Sequence, residues 1–342
     1  MALRSLRILA VMHDAMVPPP DVSGHNLADA DWKMEYDVTV TLANLGHEVR
    51  AIGVDDKLHV VREHVEQWRP HIVVNMVEDF HNIPTFDVNF VGYLELLRVP
   101  YTGCNPRGLL LARDKALSKK ILAYHGIPSP EFTVFPQTQS PRVPTDLDFP
   151  VIVKAQVKES SAGISQASIV ATDEKLLERV DFMHQQIGGD AVAEQYIDGR
   201  EIYVGIVGNH RPRAFPIWEM QFGNWPDNTP KIATDKVKFN SAYQKKHGIR
   251  TARAIDIPKA LAARIQRACL ETYRALELSG YARIDVRLTP DGRFYILEAN
   301  PNPQLAYGED FAESAEHDGL SYGELLQKIV NLGLRYRPDH RG

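Results

Sequence analysis

Short apolar runs alternate with amphipathic stretches in the first third of the chain. LRILAVM ends at residue 12, EVRAIGV covers 48–54 and IVVNMV covers 72–77, and each has the length of one β-strand. Between the first two lies MEYDVTVTLANLGH, whose pattern is typical of a helix that ends near Gly46. Strands alternating with helices predict a parallel α/β sheet, so we expect residues 1–109 to form a Rossmann-like lobe. No G-x-G-x-x-G motif follows the first run, so a dinucleotide site there would lack its phosphate-binding turn.

The second half of the chain has a different pattern. A helix is predicted over 114–126, and the β-branched run VIVKAQV at 151–157 predicts a strand. AVAEQYIDGREIYVGIVGN predicts two strands paired about Asp198 and Gly199, and YARIDVRLTPDGRFYILEAN predicts a hairpin that turns at 290–292. Antiparallel strands with helices make this half of the α/β chain α+β in character. The expected units are 1–109, 110–192 and 193–335.

Composition narrows the class of protein. The chain has 342 residues, of which 44% are hydrophobic and 24% charged, as in ordinary globular proteins of two or three domains. A net charge of −5 argues against bulk nucleic-acid binding, and no apolar run reaches the roughly 20 residues of a membrane span. The two cysteines, Cys104 and Cys269, are too few for a disulfide framework. We therefore expect a cytoplasmic protein without nucleic-acid or membrane partners.

The last predicted hairpin gathers the most specific chemistry. In FYILEANPNPQ, Glu298 and Asn300 lie two residues apart, so they point to the same face of a strand. With the turn at 290–292, Asp285 returns near the level of Glu298, and Arg283 shares its face. Carboxylate and amide oxygens at one spot are ligands for a hard cation such as Mg²⁺. For the strand end alone, ordinary polar loop residues are the better interpretation, but the convergence of all four side chains favours a functional site.

Two further patterns are weaker. Lys154 in VIVKAQV would carry a buried charge, and the small residues at 160–163 could bring backbone N–H groups close to a phosphate. An edge-strand lysine before a flexible loop explains the same residues equally well. Glu194 and Glu201 flank the predicted pair of strands, where Glu201 could accept hydrogen bonds from a ribose and the backbone of 194–197 could bind an adenine edge. On spacing alone, surface acids are the better interpretation of this second pattern.

Seven segments together resemble the ATP-grasp superfamily, and within it the D-alanine–D-alanine ligase family. They stand in the family's order over roughly residues 100–330, whereas residues 1–99 are similar only in general architecture. The segments are RDKALSKKILAYHGIPSP, FPVIVKAQVKESSAGIS, AEQYIDGREIYVGIVG, DKVKFN, YARIDVRL, FYILEANPNPQ and GLSYGELLQKIV. The resemblance implies an ATP-grasp fold behind the Rossmann-like lobe.

The resemblance also implies roles for individual residues. The side chains expected to contact ATP phosphates are Lys115, Lys154 and Lys238, with Ser160 and Ser161 in a loop that closes over them. The expected adenine hinge consists of Glu194, Gln195, Tyr196 and Ile197, and the expected ribose ligand is Glu201. The expected ligands of two Mg²⁺ ions, for which Mn²⁺ is a possible substitute, are Asp285, the bridging Glu298 and Asn300. The expected catalytic side chains are Arg283, Ser160 and Lys238.

The activity implied by the resemblance is an ADP-forming ligation of a carboxylate and an amine. ATP phosphorylates the carboxylate, the amine attacks the resulting acyl phosphate, and phosphate leaves. The expected substrates are small molecules or peptides, and the family suggests a homodimer. Two alternatives stay open: a kinase-type ATP-grasp phosphotransferase that forms no amide, and a catalytically silent nucleotide-binding regulator.

Departures from the family's pattern concern the substrates. After Glu298 and Asn300 the chain reads PNPQLAYGED, where the family has Thr-x-Pro-Gly and then a serine for the second substrate's carboxylate. The first lobe has HDAMVPPPDVSG in place of the family's Glu-x-x-Val-Ser stretch, and YGEDFAESAEHDG carries five acids and no Lys or Arg. We therefore expect a substrate pair other than two D-alanines, and an acceptor that is cationic or lacks a carboxylate near its amine. The alternative is that these acids cover a solvated helix.

Overall fold

The computed structural model describes residues 5–144, 147–157 and 163–338. Ser160 and Ser161, which were predicted to lie in the phosphate-closing loop, are therefore outside the described residues. Across these ranges, every helix is too short or too polar to cross a lipid bilayer.

The first lobe contains three strands and three helices. They are β1 (Arg7–His13), α1 (Lys33–Asn44), β2 (Glu48–Val54), α2 (Leu58–Trp68), β3 (Ile72–Met76) and α3 (Asp87–Leu96). The strands form a parallel sheet in the order β2-β1-β3, which confirms the predicted α/β lobe. Successive residues of the central β1, such as Leu9 and Ala10, are fully buried because helices cover both faces of the sheet.

Two helices lead out of this lobe, α4 (Pro106–Arg113) and α5 (Lys115–Tyr124). The carboxylate of Asp114 caps α5 by accepting a hydrogen bond from the backbone N–H of Leu117 at 2.9 Å. The same carboxylate accepts from the Gln156 amide at 3.0 Å. This places the start of α5 beside the next sheet, and it confirms the helix predicted from residue 114.

The second sheet has four antiparallel strands. Its elements are β4 (Phe132–Phe135), β5 (Val151–Ala155), β6 (Ile169–Val170), α6 (Asp173–Phe182) and β7 (Ala191–Gln195). The strand order is β4-β7-β5-β6. Leu176 and Val180 of α6 pack with Val153 and Ala193 in its core.

The third sheet has six antiparallel strands. This part of the chain contains β8 (Arg200–Val207), β9 (Arg213–Ala214), β10 (Trp218–Phe222), α7 (Asp235–Phe239), α8 (Ser241–His247), β11 (Ile249–Arg253), α9 (Lys259–Ala275), β12 (Tyr281–Leu288) and β13 (Phe294–Pro301). The order is β11-β10-β8-β12-β13, with β9 paired to β8. Ile265 and Cys269 of α9 pack in the same core as Ile284 and Ile296 of the central strands.

The predicted pairing of two strands about Asp198 and Gly199 is wrong. β7 pairs with β4 and β5, whereas β8 pairs with β10 and β12, so the chain changes sheet between them. A Cβ at Gly199 would lie 2.4 Å from the carbonyl oxygen of Leu288, which shows that this glycine permits a close backbone approach. The predicted unit boundary between 192 and 193 falls inside β7, and the change of sheet comes after Gln195.

The last two helices return to the first lobe. They are α10 (Asp310–His317) and α11 (Tyr322–Arg335). Leu325 and Ile329 of α11 share a core with Ile8 and Ile72. The chain end that was predicted to belong with unit 193–335 therefore packs on the Rossmann-like lobe.

Candidate active site

Four of the predicted site residues lie on one face of the β12–β13 hairpin. Arg283 lies opposite Asn300, and Asp285 lies opposite Glu298. The predicted return of Asp285 to the level of Glu298 is confirmed. Because partners in an antiparallel ladder share a face, the sheet brings two carboxylates, an amide and a guanidinium together.

A β-bulge sets the orientation of Glu298. Val286 pairs with Ile296, so Leu297 is an extra residue between two paired positions. In a regular strand Ile296 and Glu298 would share a face. The bulge instead lets Ile296 lie fully buried in the core while Glu298 stays opposite Asp285. The sequence pattern did not predict this irregularity.

Two carboxylates hold Arg283. Its Nε and Nη2 atoms donate to the two oxygens of Asp285 at 2.7 and 2.9 Å, and Nη1 donates to Asp310 at 3.0 Å. The guanidinium carbon lies 4.6 Å from the centroid of the Tyr203 ring. Burial opposes the charge, but the carboxylates outweigh it and raise the pKa of Arg283 well above its ordinary value. The arginine is therefore fixed and charged.

The two opposed carboxylates have shifted pKa values of opposite direction. Burial raises the pKa of Asp285 to about 6, and the neighbouring Glu298 contributes to the rise. Arg283 lowers this pKa but does not outweigh burial. Burial would also raise the pKa of Glu298, but Lys115, Lys238 and Lys154 outweigh it and lower that pKa to about 2. Glu298 is thus held as an anion among lysines, and its carboxylate lies 3.8 Å from the Lys115 ammonium.

The donor set fits a hard cation. Asp285, Glu298 and Asn300 offer carboxylate and amide oxygens, the ligands that Mg²⁺ takes in proteins. Among the described residues, the Nδ2 group of Asn300 is buried without a hydrogen-bond acceptor, so it is available to donate to a phosphate oxygen, whereas its Oδ1 is the atom suited to the cation. Within residues 5–144, 147–157 and 163–338, no three His, Cys, Asp or Glu side chains form a complete metal cage. A Mg²⁺ here would take its other ligands from phosphate oxygens and water.

Two lysines share the buried carboxylate of Glu194. Lys154 on β5 donates to it at 3.1 Å, and the Lys119 ammonium on α5 lies at 3.5 Å. Burial would raise the pKa of Glu194, but the lysines outweigh it and lower that pKa. Burial lowers the pKa of Lys119. Sequence reasoning missed Lys119, although its position four residues after Lys115 places both on one helix face.

Glu201 lies at the start of β8 with both oxygens engaged. Arg287 donates to one oxygen at 2.8 Å, and the hydroxyl of Tyr203 donates to the other at 3.0 Å. Arg287 lies opposite Glu201 in the β8–β12 ladder. Sequence reasoning missed Arg287, yet alternation along β12 puts it on the face of Arg283 and Asp285.

The predicted adenine hinge is the link between β7 and β8. The backbone N–H groups of Gln195 and Tyr196 donate to the carbonyls of Glu131 and Pro150 at 2.8 and 2.9 Å. Ile197 is buried, and no backbone hydrogen bond of its N–H occurs within the described ranges. Within the described residues, the Ile197 N–H is therefore one backbone donor of the link that a ligand could use.

The first lobe contains a strongly buried acid, Glu35. Glu35 on α1 is 4% exposed and has no ion pair with any residue that the structure describes. Burial, and to a smaller degree Glu78 after β3, raises the pKa of Glu35 to about 7. Glu78 also acts on Tyr281, which precedes Arg283 by two residues on β12. Burial thus leaves the first lobe with a carboxyl whose charged form is disfavoured.

Comparison with known proteins identifies relatives over most of the chain. The family model described as D-ala D-ala ligase C-terminus matches residues 121–331. An uncharacterized protein of Sinorhizobium fredii is 30% identical over 304 residues, or 87% of this chain and 86% of that protein. The D-alanine–D-alanine ligase of Desulforudis audaxviator is 33% identical over 247 residues, or 70% of this chain and 75% of its own.

Solved structures share the whole architecture. The D-alanine–D-alanine ligase from Bacillus anthracis complexed with ATP has a TM-score of 0.72 and 24% identity, covering 97% of this chain and 98% of its own. The ligase from Coxiella burnetii has a TM-score of 0.70 and 20% identity, covering 96% and 94%. The predicted ATP-grasp fold with its N-terminal lobe is confirmed.

Proposed function

The chain belongs to the D-alanine–D-alanine ligase family, and on this basis we propose that it joins a carboxylate to an amine through an acyl phosphate, releasing ADP. The family relationship supports an ATP-dependent ligase that acts on small molecules. The observation that carries the finer proposal is the juxtaposition of Lys115 on α5 with Glu298 on β13, 3.8 Å apart. It supports a site in which cations for phosphates lie beside carboxylates for a metal ion, as phosphoryl transfer requires.

In this proposal ATP lies between the four-stranded and six-stranded sheets. The adenine contacts the link between β7 and β8, where the N–H of Ile197 is one available backbone donor. Lys115 and Lys154 bind the phosphates, and Lys238 on α7 acts from the side of Asp285 and Glu298. For Glu201 to bind a ribose, the sugar hydroxyl must share the carboxylate with Arg287 and Tyr203.

Asp285, Glu298 and Asn300 would hold Mg²⁺ at the phosphates. When bound, the cation offsets negative charge on the transferring phosphoryl group. The lysines hold Glu298 ionised, so this residue is ready to bind a cation without losing a proton. Arg283 stays charged and immobile because Asp285 and Asp310 hold it.

The two chemical steps balance as follows. A carboxylate oxygen of the acid attacks the γ-phosphorus of ATP, the bond to the β-phosphate oxygen breaks, and ADP leaves. The amine nitrogen then attacks the acyl carbon, the carbon–oxygen bond to phosphate breaks, and the nitrogen loses a proton. Arg283 faces the negative charge that develops on the acyl oxygen, and a preorganised donor of this kind lowers the barrier.

A screen of acid–amine pairs tests this function. The purified chain, with ATP and MgCl₂, is given carboxylic acids alone, amines alone and combinations of the two. We expect ADP and phosphate release only where both are present, with an amide of the corresponding mass found by mass spectrometry. ADP release with a stable phosphorylated product and no amide would indicate a kinase instead. ATP binding without any turnover would support a regulator.

A further inference from the structure

Arg283 is surrounded by carboxylates, whereas a site that binds a substrate carboxylate needs unpaired positive charge. The guanidinium carries one positive charge, whereas Asp285 and Asp310 bring two negative charges within hydrogen-bond distance of it. The Asp310 side chain is only 13% exposed, so solvent screens this contact weakly. A substrate carboxylate that approaches the Nη1 side of Arg283 therefore meets the carboxylate of Asp310 there.

Acidic side chains also offset the positive end of the helix dipole at the start of α10. A helix N-terminus attracts anions through its free N–H groups and its dipole. Here Glu309 is the N-cap residue, and Asp310 and Glu313 lie in the first turn. Burial and then Asp310 raise the pKa of Glu309, which shows that the acids at this helix end disfavour one another's charge. The helix end adds no attraction for a substrate carboxylate.

Lys33, the cation near Glu309, already has hydrogen-bond partners. Lys33 is the cation that acts on Glu309. Its ammonium donates to Asp37 at 2.8 Å and to the carbonyl of Tyr307 at 2.6 Å. These bonds tie α1 to the segment before α10 and leave Lys33 paired. Lys115 thus lies beside Glu298, whereas Asp310 lies beside Arg283.

We propose that Asp310 determines the acceptor specificity of the ligase, selecting an amine that has no carboxylate beside it. The preferred acceptor class is an amine, a diamine or an amino-acid amide, and a free α-amino acid is disfavoured by charge. This inference rests on the proposed function, because the acceptor must approach the acyl carbon in front of Arg283. Asp310 acts by closing the Nη1 side of Arg283 and by repelling an anion.

The test compares acceptors that differ only in the carboxylate. D-alanine, D-alaninamide and ethylamine are each supplied with an acid that supports phosphate release, and kcat/KM is measured for each. We expect wild type to prefer the amide over the free amino acid by about tenfold or more, since like charges in contact cost several kcal/mol. Asp310→Asn should reduce that preference about tenfold, mainly through a lower KM for the free amino acid, and Asp310→Glu should retain it.

A matched control lies on the same helix. Asp318 is the C-cap residue of α10, eight residues after Asp310, and it pairs with Arg213 rather than with Arg283. Asp318→Asn removes the same charge from the chain and should leave the acceptor preference unchanged. Calorimetric titration of D-alanine and D-alaninamide into the enzyme with an ATP analogue and Mg²⁺ measures the same selectivity without turnover.

Three results separate the outcomes. A wild-type preference for the free amino acid would overturn the inference. So would an unchanged preference in a folded Asp310→Asn variant, or an equal loss with all acceptors, which would mean that Asp310 only positions Arg283. Absence of phosphate release with every acid and amine would overturn the proposed function instead, and the calorimetric selectivity would still decide the role of Asp310.

Discussion

Two links between successive strands contain the same Asp-Gly dipeptide and use it differently. Between β12 and β13, Gly292 has a φ of +80° and closes a tight turn in which Thr289 and Arg293 are hydrogen-bonded. Between β7 and β8, Gly199 has no positive φ, and it lets the backbone pass close to Leu288. The first dipeptide makes a hairpin, and the second carries the chain from one sheet to another. Local sequence alone does not separate these two uses of glycine.

The difference has a functional consequence. The hairpin fixes Asp285 and Glu298 opposite each other within one sheet, which suits a metal site. The crossing places Glu194 and Glu201 on two different sheets, so a ligand can lie between them. In our proposal, the nucleotide binds where the chain crosses between the two sheets, and the metal ion binds where paired strands of one sheet hold two carboxylates together.

The largest expected effect comes from the hairpin. Glu298→Gln keeps the size of the side chain and removes its charge, so phosphate release should fall about a hundredfold or more while the fold persists. The measurement is steady-state ADP formation with circular dichroism as the check on folding. Asp291→Asn, at the exposed turn of the same hairpin, is the control and should keep full activity. Near-normal activity and Mg²⁺ dependence in Glu298→Gln would contradict the metal assignment.

The next effect lies on the other sheet. Lys154→Ala removes a buried partner of Glu194, and breaking such a pair typically costs about 3–5 kcal/mol. ATP affinity measured by calorimetry on the folded variant should fall at least about tenfold, because a phosphate-binding cation is also lost. Lys175→Ala removes an exposed lysine and should change neither quantity. A stability loss with unchanged ATP affinity would make Lys154 purely structural.

The two glycines provide the smallest and most direct comparison. Gly199→Ala should lower the free energy of unfolding by about 1–3 kcal/mol, because its Cβ would lie 2.4 Å from a backbone oxygen. Gly292→Ala has open space, with 3.6 Å to the nearest atom, and its cost of about 1 kcal/mol comes from the positive φ. Urea unfolding measures both. A larger loss at Gly292 would reverse the proposed distinction.

Particular residues show how far the sequence could lead. Alternation along a strand predicted the shared face of Arg283 and Asp285, and hairpin pairing predicted the level of Glu298. The same reasoning, applied to Arg287, and helix spacing, applied to Lys119, would have found two more site residues. These properties are local, so a single sequence contains them.

Other features depend on the packed chain. The bulge at Leu297 puts Glu298 and Ile296 on opposite faces of β13. It depends on the packing of Ile296 in the core. The contact of Asp310 with Arg283 spans 27 residues and requires α10 to dock on the sheet. The change of sheet after Gln195 depends on which strands compete for β7. The pattern of neighbouring residues along the chain therefore does not predict the bulge, the contact of Asp310 with Arg283 or the change of sheet.

The central claim is an acyl phosphate, and oxygen transfer tests it most directly. With an active acid whose carboxylate is labelled with ¹⁸O, the bond that breaks in the second step lies between the acyl carbon and the phosphate oxygen. Mass spectrometry of the released phosphate should therefore find one ¹⁸O atom per turnover. Phosphate without label, formed at the same rate as amide, would contradict the acyl-phosphate mechanism.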